Sequence, residues 1–394
     1  MYYNDFQELK LSGLGFGCMR FPTKEDKSID ETQVQEMVDY AIAHGVNYFD
    51  TAYPYHGGMS EIVIGKALAK YPREQWFLAT KYPGHQYADS YDPAAIFEEQ
   101  LKKCGVDYFD FYLLHNVNDS CLDVYMDPKW GIVDYFVEQK KAGRIRHLGF
   151  SCHARGDGLK TFLDYAGDKM EFCQIQLNYL DWTLQQANEK VRLLNERNIP
   201  IIVMEPVHGG LLAKQLPAVE EKLQSLRPGE SMASWAFRWL QGIPGILTIL
   251  SGMSNIGQMT DNVRTFDERK PLTDEENALI LDIAEGFKKS VPCTACRYCC
   301  DGCPMGLNIP KLIAMYNELA VMPSIPLAMQ VEALPEDKLP SACIACGQCS
   351  AACPQHIDVP KVLNEFVEKM PTLPNWRQMC KDREEAAKRL REQN

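Results

Sequence analysis

Tyr48-Phe-Asp50-Thr51, Trp76-Phe-Leu-Ala-Thr80 followed by Lys81, and Phe109-Asp-Phe-Tyr-Leu-Leu114 followed by His115 are three of eight short apolar runs in the first part of the chain. The others are Leu14–Cys18, His147–Ser151, Phe172–Leu177, Ile199–Met204 and Ile246–Ser251. Between them lie stretches with apolar residues at helical spacing: Thr32–His44, Glu61–Lys70, Ala94–Cys104, Trp130–Ala142, Leu159–Tyr165, Gln186–Asn195, Met232–Leu240 and Gln258–Thr265. Continuous short runs fit strands buried on both faces, and the intervening stretches fit the helices that cover them. Eight strands alternating with eight helices predict an α/β fold, a (β/α)8 TIM barrel over residues 1–270. The alternative is an open doubly wound sheet, but no G-x-G-x-x-G follows any run. Gly13-Leu-Gly15-Phe-Gly17 comes near, yet it lies within or beside the first run and opens no helix at the required distance.

In such a barrel the chemistry sits where the strands end. The second run ends at Asp50, followed by Tyr55, the third at Lys81 and the fourth at His115. A phenol has an ordinary pKa of about 10, too high for efficient proton exchange near neutrality. An ammonium beside it favours the phenolate, an aspartate can keep that ammonium charged, and a histidine can orient a carbonyl oxygen. Taken singly, an Asp, a Lys or a His at a strand end is more often a cap or a surface ion pair. Together on one rim they form a proton-transfer site.

At these residues the barrel resembles the aldo/keto reductase family. The matching segments are Asn47-Tyr-Phe-Asp-Thr-Ala-x-x-Tyr55, Leu78-Ala-Thr-Lys81 and Asp110-Phe-Tyr-Leu-Leu-His115, within a resemblance covering about residues 8–268. The resemblance implies hydride transfer from a nicotinamide cofactor to a small aldehyde or ketone. Tyr55 would be the general acid, Lys81 and Asp50 would tune it, and His115 would orient the substrate. Ser151 and Gln174 fall where the family holds the carboxamide, although Cys152 replaces the usual Asn after the Ser. Met204 stands where the family often stacks an aromatic ring. Gly209 and Gly210 match the segment that folds over the pyrophosphate, and Ser251, Gly252, Ser254, Gln258 and Asn262 match the adenosine end. No basic residue stands near Gln258 to read a 2′-phosphate, so NADP(H) as the family default and NAD(H) both stay open. Met19, Arg20, Tyr53, Tyr82, Asn116 and Trp130 are candidate pocket walls. His56 and His85 read as exposed loop histidines, and His153 as a neighbour of the cofactor phosphates.

Past the barrel, Pro271-Leu-Thr-Asp-Glu-Glu opens a linking helix over 271–290, with Thr273 and Glu276 spaced for a capping box. Cys293-Thr-Ala-Cys296-Arg-Tyr-Cys299-Cys300-Asp-Gly-Cys303-Pro304 follows. It recurs fifty residues on as Cys343-Ile-Ala-Cys346-Gly-Gln-Cys349-Ser-Ala-Ala-Cys353-Pro354. Both fit C-x2-C-x2-C-x3-C-P, and Pro310-Lys311 and Pro360-Lys361 extend the repeat. Zinc also takes four thiolates, but zinc sites usually separate two C-x2-C pairs. Residues 291–370 thus resemble two-cluster 4Fe-4S ferredoxins. The pattern places Cys293, Cys296, Cys299 and Cys353 on one cluster and Cys343, Cys346, Cys349 and Cys303 on the other. Leu307–Val321 reads as a helix, Met322-Pro-Ser-Ile-Pro-Leu as a turn-rich connection, and 371–394 as a solvated, charged helical tail.

The formal net charge of −12 argues against nucleic acid as a partner. No apolar stretch approaches the ~20 residues a membrane span needs. The start of the chain has no signal-peptide pattern, so a cytoplasmic protein with reduced thiols is expected. A nicotinamide gives up two electrons as a hydride, whereas each cluster takes one. Three readings follow. The first is a carbonyl reductase with structural, sensing or docking clusters. The second is an enzyme in which a flavin, or a partner such as a ferredoxin or another redox protein, links the clusters to the barrel. The third is a non-catalytic redox-sensing or regulatory subunit.

Overall fold

The computed structural model describes residues 1–86, 88, 90–119, 121–287, 291, 293, 297–353 and 355–393. The chain divides into two compact units, Met1–Ile280 with Lys381–Asn394, and Leu281–Cys380.

The first unit opens with an antiparallel hairpin of β1 (Tyr3–Phe6) and β2 (Leu9–Ser12), turned at Gln7 with φ 51°. Eight parallel strands follow: β3 (Leu14–Gly17), β4 (Tyr48–Asp50), β5 (Phe77–Tyr82), β6 (Phe109–Val117), β7 (Ile145–Cys152), β8 (Cys173–Gln176), β9 (Ile201–Met204) and β10 (Ile246–Ser251). They pair in chain order, and β10 pairs with β3 through Ile249↔Leu14 and Ser251↔Phe16, so the sheet closes into a barrel. The open-sheet alternative is therefore excluded. All eight apolar runs are strands, with bounds displaced by a few residues. Lys81 and His115 lie inside β5 and β6 rather than just beyond them.

Each expected barrel helix is present, for instance Glu31–Ala43 and Pro93–Cys104, capped by Asp30 and Asp92 side chains that accept from Gln33 and Ala95 amides. Some elements escape the apolar periodicity. Among them are the helix Pro217–Leu226, which buries only Leu223, and the N-terminal hairpin, whose strands are four residues each. That hairpin covers the end of the barrel where the strands begin. Phe6 and Leu11 share a buried cluster with Tyr48, Ala79, Phe111 and Phe172, and Asn4 Nδ2 donates to the Leu247 carbonyl at 2.6 Å. The opposite end is left for function.

The expected linking helix spans Asp274–Phe287, and its capping box is formed. The Thr273 amide donates to Glu276 Oε2 at 2.8 Å, and the Glu276 amide to Thr273 Oγ1 at 3.3 Å. Arg227 also binds both Glu276 oxygens, at 2.7 and 2.6 Å.

The second unit is built on the repeat. Arg297 and Gly347 both take left-handed conformations before the short helices Tyr298–Asp301 and Gln348–Ala351. Asn308 and Asp358 then cap the longer helices Ile309–Val321 and Val359–Lys369, each with proline in its first turn. Leu312, Ile313, Tyr316, Leu363 and Phe366 from these two helices share one core. The segment read as turn-rich instead starts a helix, Ile325–Glu332, because Ser324 caps it and Pro326 falls where a helix tolerates proline. The charged tail is the helix Trp376–Gln393. Among the described residues no helix is long and apolar enough to cross a membrane.

Two predictions follow from these contacts. Phe6→Ala removes a ring packed 5.7 Å from Phe111 and edge-on to Phe172. It is expected to cost about 3–5 kcal/mol in urea unfolding. Glu276 is held down at about 2, chiefly by Arg227 against the cost of burial. Its depressed pKa gives stability that is present above the ordinary carboxylate range and lost as pH falls toward 2. Glu276→Gln should therefore lower the melting temperature at pH 7 and have a much smaller effect near pH 2.

Candidate active site and cysteine-lined cavities

Lys81, buried to 1% exposure, extends from β5 and donates to Asp50 Oδ1 at 2.5 Å and to the Thr51 carbonyl at 2.6 Å. Asp50, at the end of β4, is equally buried, its Oδ2 has no hydrogen-bond partner among the described residues, and the Gln174 side chain on β8 favours its charged form. Tyr55 sits on the turn Tyr55–Gly58 just past β4. Its ring centroid is 5.1 Å from Lys81 Nζ, and the charge of that ammonium acts on its hydroxyl. The His115 ring meets the Tyr55 ring edge-on at 5.9 Å. The four expected residues are therefore brought together, with Tyr55 and His115 half-buried and Lys81 and Asp50 sealed behind them.

Burial dominates the electrostatics. It pushes the Asp50 carboxyl up, opposed by Lys81. Burial also opposes charge on Lys81, but the Asp50 carboxylate and Tyr55 outweigh it and hold the ammonium above its ordinary range. The short contact between the two favours the ionised pair. Tyr55 corrects the expectation of a lowered phenol. Burial raises it, Lys81 pulls down, Asp50 pushes up, and the net direction is upward. Tyr55 therefore stays protonated near neutrality and can donate. His115 is lowered well below its ordinary value by burial first, then by His85, Lys81, Arg383 and His153. It is neutral at pH 7 and can present an N–H to an oxygen.

Two histidines, His85 and His56, differ from the sequence reading. His85 is 3% exposed, not a loop-surface residue, and its ring lies 4.3 Å from that of His115. His56 is half-buried, stacked on Phe21 at 5.6 Å and accepting from the Phe21 amide. His153 is pushed down to about 3 by burial and then Lys190. Among the candidate walls, Tyr82 is buried against Phe136 rather than facing a pocket. Tyr53 bonds Glu99 and Arg391. Met19 and Arg20 are exposed beside the rim, with the Arg20 stem where a Cβ on Gly252 would fall, 3.2 Å away.

The expected cofactor positions lie on successive strand ends. Ser151 on β7 accepts from the Asn116 amide at 2.7 Å. Gln174 Oε1 is buried and has no hydrogen-bond partner among the described residues. An orphaned acceptor of this kind fits the NH2 of a carboxamide. Met204 ends β9 half-buried, and Gly209 and Gly210 follow with φ 64° and 100°, the Gly209 amide held by Glu205 Oε2 at 2.6 Å. At the end of β10, Ser251 Oγ accepts from Asn262 Nδ2 at 2.9 Å. Ser254 donates its amide to Gln258 Oε1 at 2.8 Å, with Gly252 between the two serines. These residues form one arc from the tetrad outward.

In the second unit, two cavities are lined by the cysteines. One is lined by Cys293, Cys299 and Cys353 with Pro310, Ile313 and Val359. The other is lined by Cys303, Cys343, Cys346 and Cys349 with Leu307 and Leu363. Each therefore draws its fourth cysteine from the opposite run. Cys296, expected beside the first cavity, lies outside the described residues. Among those described, no three His, Cys, Asp or Glu side chains stand close enough for a single metal ion. Widely set thiols around an apolar hollow fit a multi-iron cluster instead.

A sequence model of the aldo/keto reductase family matches residues 13–285, and one of the 4Fe-4S dicluster domain matches residues 292–357. The uncharacterized oxidoreductase YqkF of Bacillus subtilis is 27% identical over 300 residues, covering 68% of this chain and 91% of its own. The NADH-specific methylglyoxal reductase of Escherichia coli is 25% identical over 288 residues, covering 62% and 85%. The holo form of the aldo-keto reductase AKR11C1 from Bacillus halodurans superposes with a TM-score of 0.58 at 28% identity, covering 72% of this chain and 96% of that one. An aldo/keto reductase from Klebsiella pneumoniae, solved with NADP and acetate, shares the fold at a TM-score of 0.57 and 21% identity, covering 71% and 93%.

The crossed lining makes a direct prediction. Cys353→Ala should disturb the cluster held with Cys293 and Cys299 and spare the one held with Cys343, Cys346 and Cys349. Iron and sulfide assays with electron paramagnetic resonance would show which cluster signal is lost. Selective loss of the second would contradict crossed ligation.

Proposed function

Because the chain belongs to the aldo/keto reductase family, we propose that it reduces an aldehyde or ketone at the Tyr55–Lys81–Asp50–His115 rim, with a reduced nicotinamide as hydride donor. The observation that carries this reading is the buried Lys81–Asp50 pair set directly behind a half-buried, protonated phenol. When bound, the nicotinamide supplies hydride to the carbonyl carbon. Gln174 Oε1 and the Ser151 hydroxyl would hold its carboxamide, Met204 would pack on its ring, and Gly209, Gly210, Ser251, Gly252, Ser254, Gln258 and Asn262 would hold the rest. Neutral His115 donates to the carbonyl oxygen and fixes its position. Tyr55 gives its proton to the same oxygen as negative charge grows there. Lys81 stabilises the phenolate left behind, and Asp50 keeps Lys81 charged. Hydride and proton together convert carbonyl to alcohol, so the step balances without iron.

On this reading residues 1–270 carry the reaction, and residues 291–370 hold two 4Fe-4S clusters that a simple carbonyl reduction does not draw on. The clusters fit a partner redox protein such as a ferredoxin. An electron relay into the barrel is the second reading, favoured only by the presence of two one-electron centres in the chain. The flavin that such a relay would use has no support in the residues or the relatives. Between NAD(H) and NADP(H), the NADH-specific relative and the absence of a basic residue near Gln258 favour NAD(H).

Tyr55→Phe should abolish reduction of a simple aldehyde while leaving nicotinamide binding, read by fluorescence, nearly intact. Unchanged turnover would remove Tyr55 from the mechanism. Lys81→Met should move the residual activity's titration to higher pH, because it removes the charge that pulls the Tyr55 phenol down. It should also cost about 3–5 kcal/mol by leaving Asp50 buried without its partner.

A further inference from the structure

Tyr55 stands on a strained turn. His56, Gly57 and Gly58 follow it with φ 51°, 65° and 92°, three left-handed residues in a row, and the first of them carries a side chain. Backbone of this kind persists only where its surroundings over-determine it. Part of the support comes from the barrel itself. The His56 ring stacks on Phe21. Lys103, ion-paired to the buried Glu61 at 2.6 Å, lies over the Tyr53 ring at 4.4 Å, and its Nζ would stand 3.6 Å from a Cβ on Gly58.

The rest comes from the end of the chain. Residues 381–393 belong to the same compact unit as the barrel and form the last turns of the helix Trp376–Gln393. Ala386, Ala387 and Leu390 are buried or half-buried among exposed charged neighbours, and their spacing of three and four residues marks one helix face. That face packs on the turn. A Cβ on Gly57 would meet Ala386 Cβ at 3.8 Å, and one on Gly58 would meet Leu390 Cδ2 at 3.4 Å. The next residue closes a triangle of polar contacts. Arg391 Nε donates to Glu99 Oε2 at 2.8 Å, the same guanidinium donates to the Tyr53 hydroxyl, and that hydroxyl donates to the Glu99 oxygens at 3.2 Å. One helix end therefore holds the residue two before Tyr55 and covers the residues two and three after it.

We propose that the end of the C-terminal helix is a strap that keeps the Tyr55 turn in its proton-donating geometry, with Arg391 as a positioning residue that acts through Tyr53. The Arg391 side chain is 50% exposed, so water competes for its bonds and the strap is releasable rather than locked. Its release lowers the rate of proton transfer without unfolding the barrel. The proposal deepens the reductase reading and rests on it for the proton transfer, whereas the holding of the turn is independent of it.

The test uses the full, cluster-loaded chain. Arg391→Ala should lower kcat for a simple aldehyde about tenfold or more, because a small displacement of the donor is enough to do so. The KM for the aldehyde and the nicotinamide Kd, read by fluorescence, should stay unchanged. Amide hydrogen exchange should quicken over residues 53–59 and not in the strand Phe77–Tyr82. Arg391→Lys, which keeps the charge facing Glu99, should recover part of kcat. Tyr53→Phe breaks the same triangle, so it should lower kcat by itself and add little to Arg391→Ala. An unchanged kcat in Arg391→Ala, or a loss that KM and the nicotinamide Kd share equally, would overturn the proposal. If wild type reduces no aldehyde under any condition, the reductase reading fails and exchange alone decides the strap. Faster exchange over 53–59 in Arg391→Ala then supports it, and unchanged exchange overturns it.

Discussion

The ion pair between Lys81 and Asp50 is the constraint on which the rim depends. Two opposite charges held at 2.5 Å, each almost wholly shielded from water, cost several kcal/mol in lost hydration. They are tolerated only when geometry and further hydrogen bonds are good. Here the Thr51 carbonyl accepts a second bond from Lys81, and the Gln174 side chain favours the charged form of Asp50. The pair brings β4, β5 and β8 into one polar knot at the ends of their strands. It also places a positive charge, shielded from solvent, beside Tyr55. Rigid strands hold the knot, and loops supply the half-buried groups that face a substrate.

That arrangement sorts the protonation states. Burial keeps the Tyr55 phenol and the His115 imidazole neutral, so both can donate to the same oxygen. Lys81 does not make Tyr55 acidic in the resting protein. On the proposed reductase reading, its charge matters most once the proton has left, when the phenolate sits beside a fixed ammonium. Stabilisation that grows as the reaction proceeds is what accelerates a chemical step.

Much of this was legible in the sequence because it is local. All eight strands appear as uninterrupted apolar runs, since a parallel sheet covered on both faces leaves no polar alternation. Asp50, Lys81 and His115 were visible because each breaks such a run at its end, and the doubled cysteine pattern gave the crossed cavities by spacing. What escaped was set by long-range packing. His85 reads as a loop histidine, yet its ring lies against His115. Tyr82 reads as a pocket aromatic, yet it packs on Phe136. The hairpin at Tyr3–Ser12 is too short to show alternation. Arg391 lies in a mixed-charge helix whose inner face only the folded barrel reveals.

The central claim is that hydride passes directly from nicotinamide to a carbonyl carbon at the rim, with Tyr55 supplying the proton and the clusters uninvolved. The direct measurement is reduction of an aldehyde with nicotinamide deuterated at the transferable position, in ordinary water, with the cluster absorbance followed throughout. The account predicts deuterium on the carbonyl carbon of the alcohol, transferred from one face of the nicotinamide, and an unchanged cluster spectrum. Solvent hydrogen at that carbon, together with bleaching of the clusters on the timescale of turnover, would contradict it.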